Sequence, residues 1–147
     1  MKLYKALKLK KKLSGEIARI ENQILTHNSY VIGAKNSENC DVEGLERTLG
    51  AKVSELIDLK VKIYEANKYI QKDIYTLAET KGLLAFWVSI GVTEGKIASN
   101  SLYERGGTYD YAVHVNEESK DAKVKELQDK IETLQENIDT YNYLTEI

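Results

Sequence analysis

The sequence predicts a mainly all-α protein, an antiparallel helical bundle or coiled coil of three to four long helices with a small β element near residues 108–115. Three observations lead to this fold class. None of the 147 residues is proline, so the strongest helix breaker is absent. Apolar residues recur at alternating steps of three and four along most of the chain, which is the period of one helix face. One short segment alternates with the period of a strand instead.

The first helix is predicted from about residue 2 to about residue 27 because its apolar residues form a regular seam. Lys10 takes the one position in this seam that is not apolar. Residues 27–41 are rich in Asn, Ser and Gly, which predicts a loop in which the segment YVI at 30–32 can dock onto the core. The apolar residues of the seam are Leu3, Ala6, Leu13, Ile17, Ile20 and Ile24.

The second helix is predicted from residue 42 to about residue 70, with Asp41 as its N-cap. Val53 and Ile57 widen its apolar face, which is typical of a helix with more than one neighbour. Gly44 and Gly50 lie near its start, and each weakens the helix by about 1 kcal/mol relative to alanine. The main apolar stripe consists of Leu45, Leu49, Leu56, Leu59, Ile63, Ala66 and Ile70.

A third helix, or a restart of the second, is predicted near Thr76, because Thr76 and Glu79 have the spacing of a capping box. Residues 83–92 are apolar on almost every side, and a helix without a polar face normally lies at the centre of its surroundings. The sequence therefore places this stretch at the middle of the assembly. Its central residues are Leu84, Phe86, Trp87, Val88 and Ile90.

The small β element follows, since residues 108–115 alternate in the manner of a half-buried strand. A lone strand needs a partner for its free edge. We expect that partner to be either the segment YVIGA at 30–34 or the same strand of another subunit.

The fourth helix has the most regular pattern, with Asn116 as its predicted cap. Its apolar residues keep a strict alternation of three and four over about two and a half heptads, which is typical of a coiled-coil seam. The residues of this seam are Val124, Leu127, Ile131, Leu134, Ile138 and Tyr141.

Composition bounds the class of protein. With 42% hydrophobic residues, 30% charged residues and a net charge of -2, the chain is neither disordered throughout nor attracted as a whole to a nucleic acid polymer. Its length suits a single helical domain over residues 1–147.

Cys40 is the only cysteine, which favours a reducing compartment. The longest apolar run, at 83–92, is too short to cross a bilayer and no signal peptide is recognised, so we expect a cytoplasmic protein that does not bind membranes.

The sequence does not favour an enzyme. His27 and His114 are the only histidines, and the chain carries none of the motifs that pair a nucleophile with a base or assemble a metal triad. We therefore predict no catalytic residues, no metal site and no cofactor.

The segment SLYERGGTYDYAVHV at 101–115 is the best candidate for a binding site. Gly106 and Gly107 permit backbone conformations in which successive N–H groups converge on an anion. Arg105 can donate two hydrogen bonds to one phosphate or carboxylate. Tyr103 and Tyr109 offer ring faces to a purine and hydroxyls to ribose or phosphate. The alternative is a plain hairpin turn with surface tyrosines, because Gly-Gly is a common turn dipeptide.

Three blocks of the chain carry a resemblance to a known family. They are the opening MKLYKALKLKKKLSGEI, the middle IYEANKYIQ followed by TLAETKGLLA, and the close from YAVHV to LQDKIETLQENIDTYNYLTEI. The chain resembles a family of small helical bacterial and phage-associated proteins that carries the name septicolysin. This resemblance implies an oligomeric helical protein with no established catalytic activity.

These observations favour a non-enzymatic homo-oligomer that assembles through the apolar third helix and the seam of the fourth. As its function we hypothesise the binding of a small anionic nucleotide signal at subunit junctions, as in a phage protein that sequesters a messenger of host defence. The alternative is a structural or adaptor protein whose coiled-coil faces bind a protein partner.

Overall fold

A computed structural model describes residues 1–34, 39–98 and 107–147. Within these residues the chain forms four helices and two short strands, which confirms the predicted mainly all-α class with a small β element. In chain order the elements are α1 (Leu3–His27), α2 (Val42–Asn67), α3 (Gln71–Ser89), β1 (Gly95–Ala98), β2 (Thr108–Tyr111) and α4 (Glu117–Leu144).

The chain divides into two compact units. The first consists of Met1–Gln71 together with Asp139–Ile147, and the second is Lys72–Ile138. The single domain predicted over residues 1–147 stays a prediction, because compact units of one chain can belong to one domain or to two.

The core of the first unit lies between α1 and α2. The two helices run antiparallel, because Gln23 near the end of α1 lies beside Thr48 near the start of α2, whereas Leu9 near the start of α1 lies beside Lys62 near the end of α2. The two helices bury the apolar stripes that the sequence predicts. Burial of one such leucine or isoleucine side chain contributes about 1.5 to 3 kcal/mol, so this contact is the main stabilising feature of the unit. The buried residues of this core are Leu3, Ala6, Leu13, Leu56, Leu59 and Ile63.

The last residues of the sequence pair with the start of α1. Lys2 and Glu146 form an antiparallel bridge, in which the Leu3 amide donates to the Thr145 carbonyl at 2.9 Å. The Tyr141 hydroxyl donates to the Ala66 carbonyl at 2.9 Å. Because the last carbonyls of a helix have no partner within it, this bond satisfies one acceptor at the end of α2. The C-terminal segment thus belongs to the first unit.

Local signals predict the helix starts well where a side chain caps the backbone. The Asp41 carboxylate accepts a hydrogen bond from the Gly44 amide at 2.9 Å, and the Asn116 side chain accepts one from the Ser119 amide at 2.9 Å, so both predicted caps are confirmed. A Cβ atom at Gly44 would overlap the Asp41 carboxylate. Gly44 therefore has a structural role, since it lets the cap approach the helix.

The predicted start of the third helix is wrong. The helix begins at Gln71, and the Thr76 hydroxyl donates to the Lys72 carbonyl at 2.7 Å, one helical turn back. A capping threonine instead accepts from an amide ahead of it, and the backbone before it is not helical. The prediction that YVI at 30–32 docks onto the core is also wrong, because all three side chains are exposed.

In the second unit, α3 and α4 are antiparallel. The Lys120 ammonium near the start of α4 donates to the carbonyls of Val88 and Ile90 at the end of α3, at 2.8 and 2.7 Å. The seam of α4 is confirmed as its least exposed face, with Leu127 and Ile138 buried. Among the residues that the structure describes, the apolar stretch of α3 does not form a buried centre, because more than half of Phe86 is exposed.

The Glu16–Lys52 pair makes the stability of the first unit depend on pH. The Lys52 ammonium lies 2.9 Å from the Glu16 carboxylate, and this hydrogen bond lowers the pKa of Glu16 below its ordinary value. A carboxyl whose pKa is lowered on folding contributes stability above its unfolded pKa, and that contribution is lost as pH falls through the folded pKa. We therefore expect Glu16→Gln to flatten the fall in unfolding free energy on acidification.

Urea denaturation between pH 7 and pH 3 measures this effect. Glu21→Gln removes another carboxylate from α1 without touching the Lys52 contact, and it serves as the control. A change in slope of the same size in both variants would contradict the role of the ion pair.

Candidate ligand-binding surfaces

The residues predicted to bind a ligand are only partly described. Tyr103, Arg105 and Gly106 lie outside the described residues, whereas Gly107 and Tyr109 lie within them. Gly107 directly precedes β2, and Tyr109 is its second residue.

The predicted strand is shorter than expected and has a different partner. Over 108–115 only Thr108–Tyr111 is extended, and it pairs with Gly95–Ala98 rather than with residues 30–34. A hairpin between neighbouring segments closes a short loop, which costs less entropy than pairing with a distant segment. Ile97 is the one large apolar residue of Gly95–Ala98. The sequence of this strand therefore shows almost none of the apolar–polar alternation that would predict it.

The antiparallel register places aromatic residues on one face of the hairpin. Tyr109 lies opposite Ile97 and Tyr111 opposite Gly95, while Lys96 pairs with Asp110 on the other face. The rings of Tyr109 and Tyr111 meet edge to face with centroids 6.5 Å apart. Both tyrosines are 46% exposed and Ile97 is 43% exposed. The hairpin therefore presents an aromatic face to solvent, but the cation predicted beside it, Arg105, is not described.

Gly95 has a specific reason to be glycine. Its φ is 89°, in the left-handed region that residues with a Cβ atom rarely adopt.

A second candidate surface, which the sequence did not predict, lies between α3 and α4. An open groove of about 510 Å³ is lined by one residue of α4 and six of α3. Lys130 from α4 and Lys72 from α3 supply two cations, against the single carboxylate of Glu79. Tyr75 adds an exposed ring, and Leu83 adds an exposed apolar side chain. The groove therefore combines an excess of positive charge with an aromatic surface.

Two threonines, Thr76 and Thr80, are among the residues that line this groove. The Thr80 side chain is buried, and its hydroxyl donates to the Thr76 carbonyl at 2.6 Å. The Thr76 hydroxyl donates in the same way to Lys72. Because each hydroxyl donates its proton to the helix backbone, its oxygen keeps lone pairs that can accept a hydrogen bond. They suit ligand hydroxyl or amino groups rather than a second anion.

The described residues contain no group of three or more His, Cys, Asp or Glu side chains placed to hold a metal ion. Among the helices described, none combines the length and apolar character needed to span a bilayer. No protein-family model matches the chain, and no curated protein or solved structure is significantly similar to it. The resemblance to the septicolysin family therefore stays a prediction.

Proposed function

We propose that this chain is a binding protein for a small planar anion of the nucleotide class, and that the groove between α3 and α4 receives it. The observation that carries the proposal is that Lys72, Tyr75 and Lys130 line one open groove of about 510 Å³. Ligand sites of small molecules commonly have volumes of about 300 to 1,000 Å³. A mononucleotide or dinucleotide signal fits this range.

Each lining group has a role in this proposal. The ring of Tyr75 stacks on the base, an interaction that tolerates any base because every base has a π face. Lys72 and Lys130 act as point charges toward phosphate. Glu79 and the threonine hydroxyls accept hydrogen bonds from ribose or from the exocyclic amino groups of a base. These roles require binding and no bond cleavage, so we propose sequestration rather than turnover.

A panel of cyclic and linear nucleotides tests this proposal by thermal shift, because a ligand that binds only the folded state raises the melting temperature. For any ligand found, titration calorimetry should show that Tyr75→Ala weakens the Kd by about 5- to 100-fold, the range of one stacked base. Lys130→Gln should weaken it about 10-fold or less, as one exposed charge would. Tyr30→Ala and Lys125→Gln remove an exposed tyrosine and an exposed lysine elsewhere and serve as matched controls.

The same titrations separate the groove from the hairpin. Arg105→Ala and Tyr109→Ala should leave the Kd unchanged if the ligand lies in the groove. A loss confined to these two variants would contradict the groove and favour the hairpin. Chromatography of the nucleotides after incubation would reveal products if the protein is an enzyme. If no nucleotide of the panel raised the melting temperature, this would contradict a nucleotide ligand at either surface.

A second candidate function is that of a structural or adaptor protein. It is favoured by the exposed apolar residues of α2, among them Ile57 and Val61, which are each more than half exposed. Apolar residues that line one helix face are typical of a surface that binds another helix. Such a role needs no groove, so it would survive a negative result with nucleotides.

A further inference from the structure

The side of α2 that faces away from α1 carries a second apolar stripe. We call Val53, Ile57, Val61 and Tyr64 the outer stripe. Their steps of four, four and three place them on one helix face. The four side chains are between 38% and 60% exposed, whereas Leu56, one residue before Ile57, is buried against α1. The sequence predicts more than one neighbour for this helix, and the outer stripe is where a second neighbour would lie.

Charges at the two ends of the outer stripe have opposite sign. Glu46 lies eleven residues before Ile57, and Lys68 lies eleven residues after it. Both residues are exposed, and Lys68, which follows the last residue of α2, keeps helical backbone angles. Since eleven residues are close to three helical turns, both lie on the same helix face as the outer stripe. The helix face is thus acidic at its start and basic at its end.

The residues between these charges are also arranged symmetrically about Ile57. Val53 and Val61 lie four residues on either side of it. Gly50 and Tyr64 lie seven residues on either side, and the space beside Gly50 is open. In an antiparallel pair of such helices centred on Ile57, Gly50 of one helix would therefore lie opposite Tyr64 of the other. Val53 of one would lie opposite Val61 of the other.

We propose that two copies of this chain pair antiparallel through their outer stripes, about a two-fold axis that passes beside Ile57. Ile57 then meets Ile57 of the second copy, each Tyr64 ring covers the other copy's Gly50, and each Glu46 meets the other copy's Lys68. Such an isologous contact uses the same patch twice, as most homodimers do. A parallel pairing in the same register would instead place Glu46 against Glu46 and Lys68 against Lys68.

Lys68 already has a partner within its own chain. Its ammonium lies 2.6 Å from the Glu65 carboxylate and 5.2 Å from the centroid of the Tyr64 ring. A lysine ammonium has three donors, so it can donate to Glu65 and to Glu46 of a second copy at once. The existing contacts orient Lys68 beside the stripe, which lowers the entropy lost on pairing. This pairing does not depend on whether the chain binds a nucleotide.

Sedimentation velocity over about 1 to 100 µM protein tests the pairing. We expect the parent chain to form a dimer or an assembly built from dimers. Ile57→Lys should halve the mass of this assembly or weaken the Kd of the dimer by at least about 100-fold. The reason is that each interface loses two apolar side chains and gains two buried charges. Ile32→Lys makes the same change at an exposed isoleucine outside α2 and should leave the mass unchanged. Because Ile57 is exposed within the chain, circular dichroism and melting of the single variant should show a folded protein.

A charge exchange tests the direction of pairing. Glu46→Lys alone and Lys68→Glu alone should each weaken the dimer by about 3- to 10-fold at low salt, and the double variant should recover most of the parental Kd. Recovery is expected only when residue 46 of one copy faces residue 68 of the other. A monomeric parent at 100 µM, a mass unaffected by Ile57→Lys, or a double variant no tighter than the single ones would overturn the proposed pairing.

Discussion

Leu13→Ala is expected to lower the free energy of unfolding by about 2 to 5 kcal/mol, the range for truncating a buried leucine to alanine. Leu13 is 1% exposed and lies among Leu3, Leu56 and Leu59 between α1 and α2. Truncation removes apolar contacts with both helices and leaves a cavity that rigid neighbours cannot fill. Urea denaturation followed by circular dichroism at 222 nm measures the loss.

Leu25→Ala is the matched control for this prediction. It makes the same chemical change on the same helix, near the end of α1, but Leu25 is 81% exposed. We expect its effect on the free energy of unfolding to stay within about 0.5 kcal/mol. Equal losses in the two variants would mean that the α1–α2 contact is not the stabilising core of the first unit.

Lys120→Met is expected to lower the free energy of unfolding by about 1 to 2 kcal/mol and to loosen the end of α3. The last turn of α3 has no basic residue of its own, and the Lys120 ammonium supplies the missing positive charge from α4. It donates to both Val88 and Ile90, whose carbonyls are left without partners in the helix. Methionine keeps a similar length and apolar stem but cannot donate.

Hydrogen exchange locates this effect as well as measuring it. Amides in the last turn of α3 should exchange faster in Lys120→Met, whereas amides of the α1–α2 core should keep the parental rates. Lys125→Met replaces an exposed lysine on the same helix as a control. If the two variants lose equal stability, or if exchange near Ser89 is unchanged, Lys120 does not cap α3.

Much of the helical structure follows from signals that act over a few residues. The alternation of apolar residues predicts α1 and the inward face of α4, and Asp41 and Asn116 mark helix starts because their side chains accept from amides three residues ahead. Thr76 shows the limit of such signals. A threonine has the same spacing to Glu79 whether it caps a helix or lies inside one, and here its hydroxyl bonds back to Lys72.

The candidate groove is much harder to predict than the helices that form it. Lys72 and Lys130 are far apart in sequence, and ordinary solvent-exposed lysines have the same local pattern. The sequence instead favours the segment around Arg105, because its cation, glycines and tyrosines are adjacent in the chain. Adjacency in sequence is a weak guide to a site that two helices build together.

The sequence by itself determined where helices form and which of their faces are apolar, since periodicity and caps act between residues one or two turns apart. Only the tertiary structure decided which apolar faces are covered. Leu56 and Ile57 are adjacent and similarly apolar, yet Leu56 is buried against α1 and Ile57 is exposed. The reason is physical: burial depends on which neighbour occupies each side of a helix, and that neighbour is brought there by the path of the whole chain.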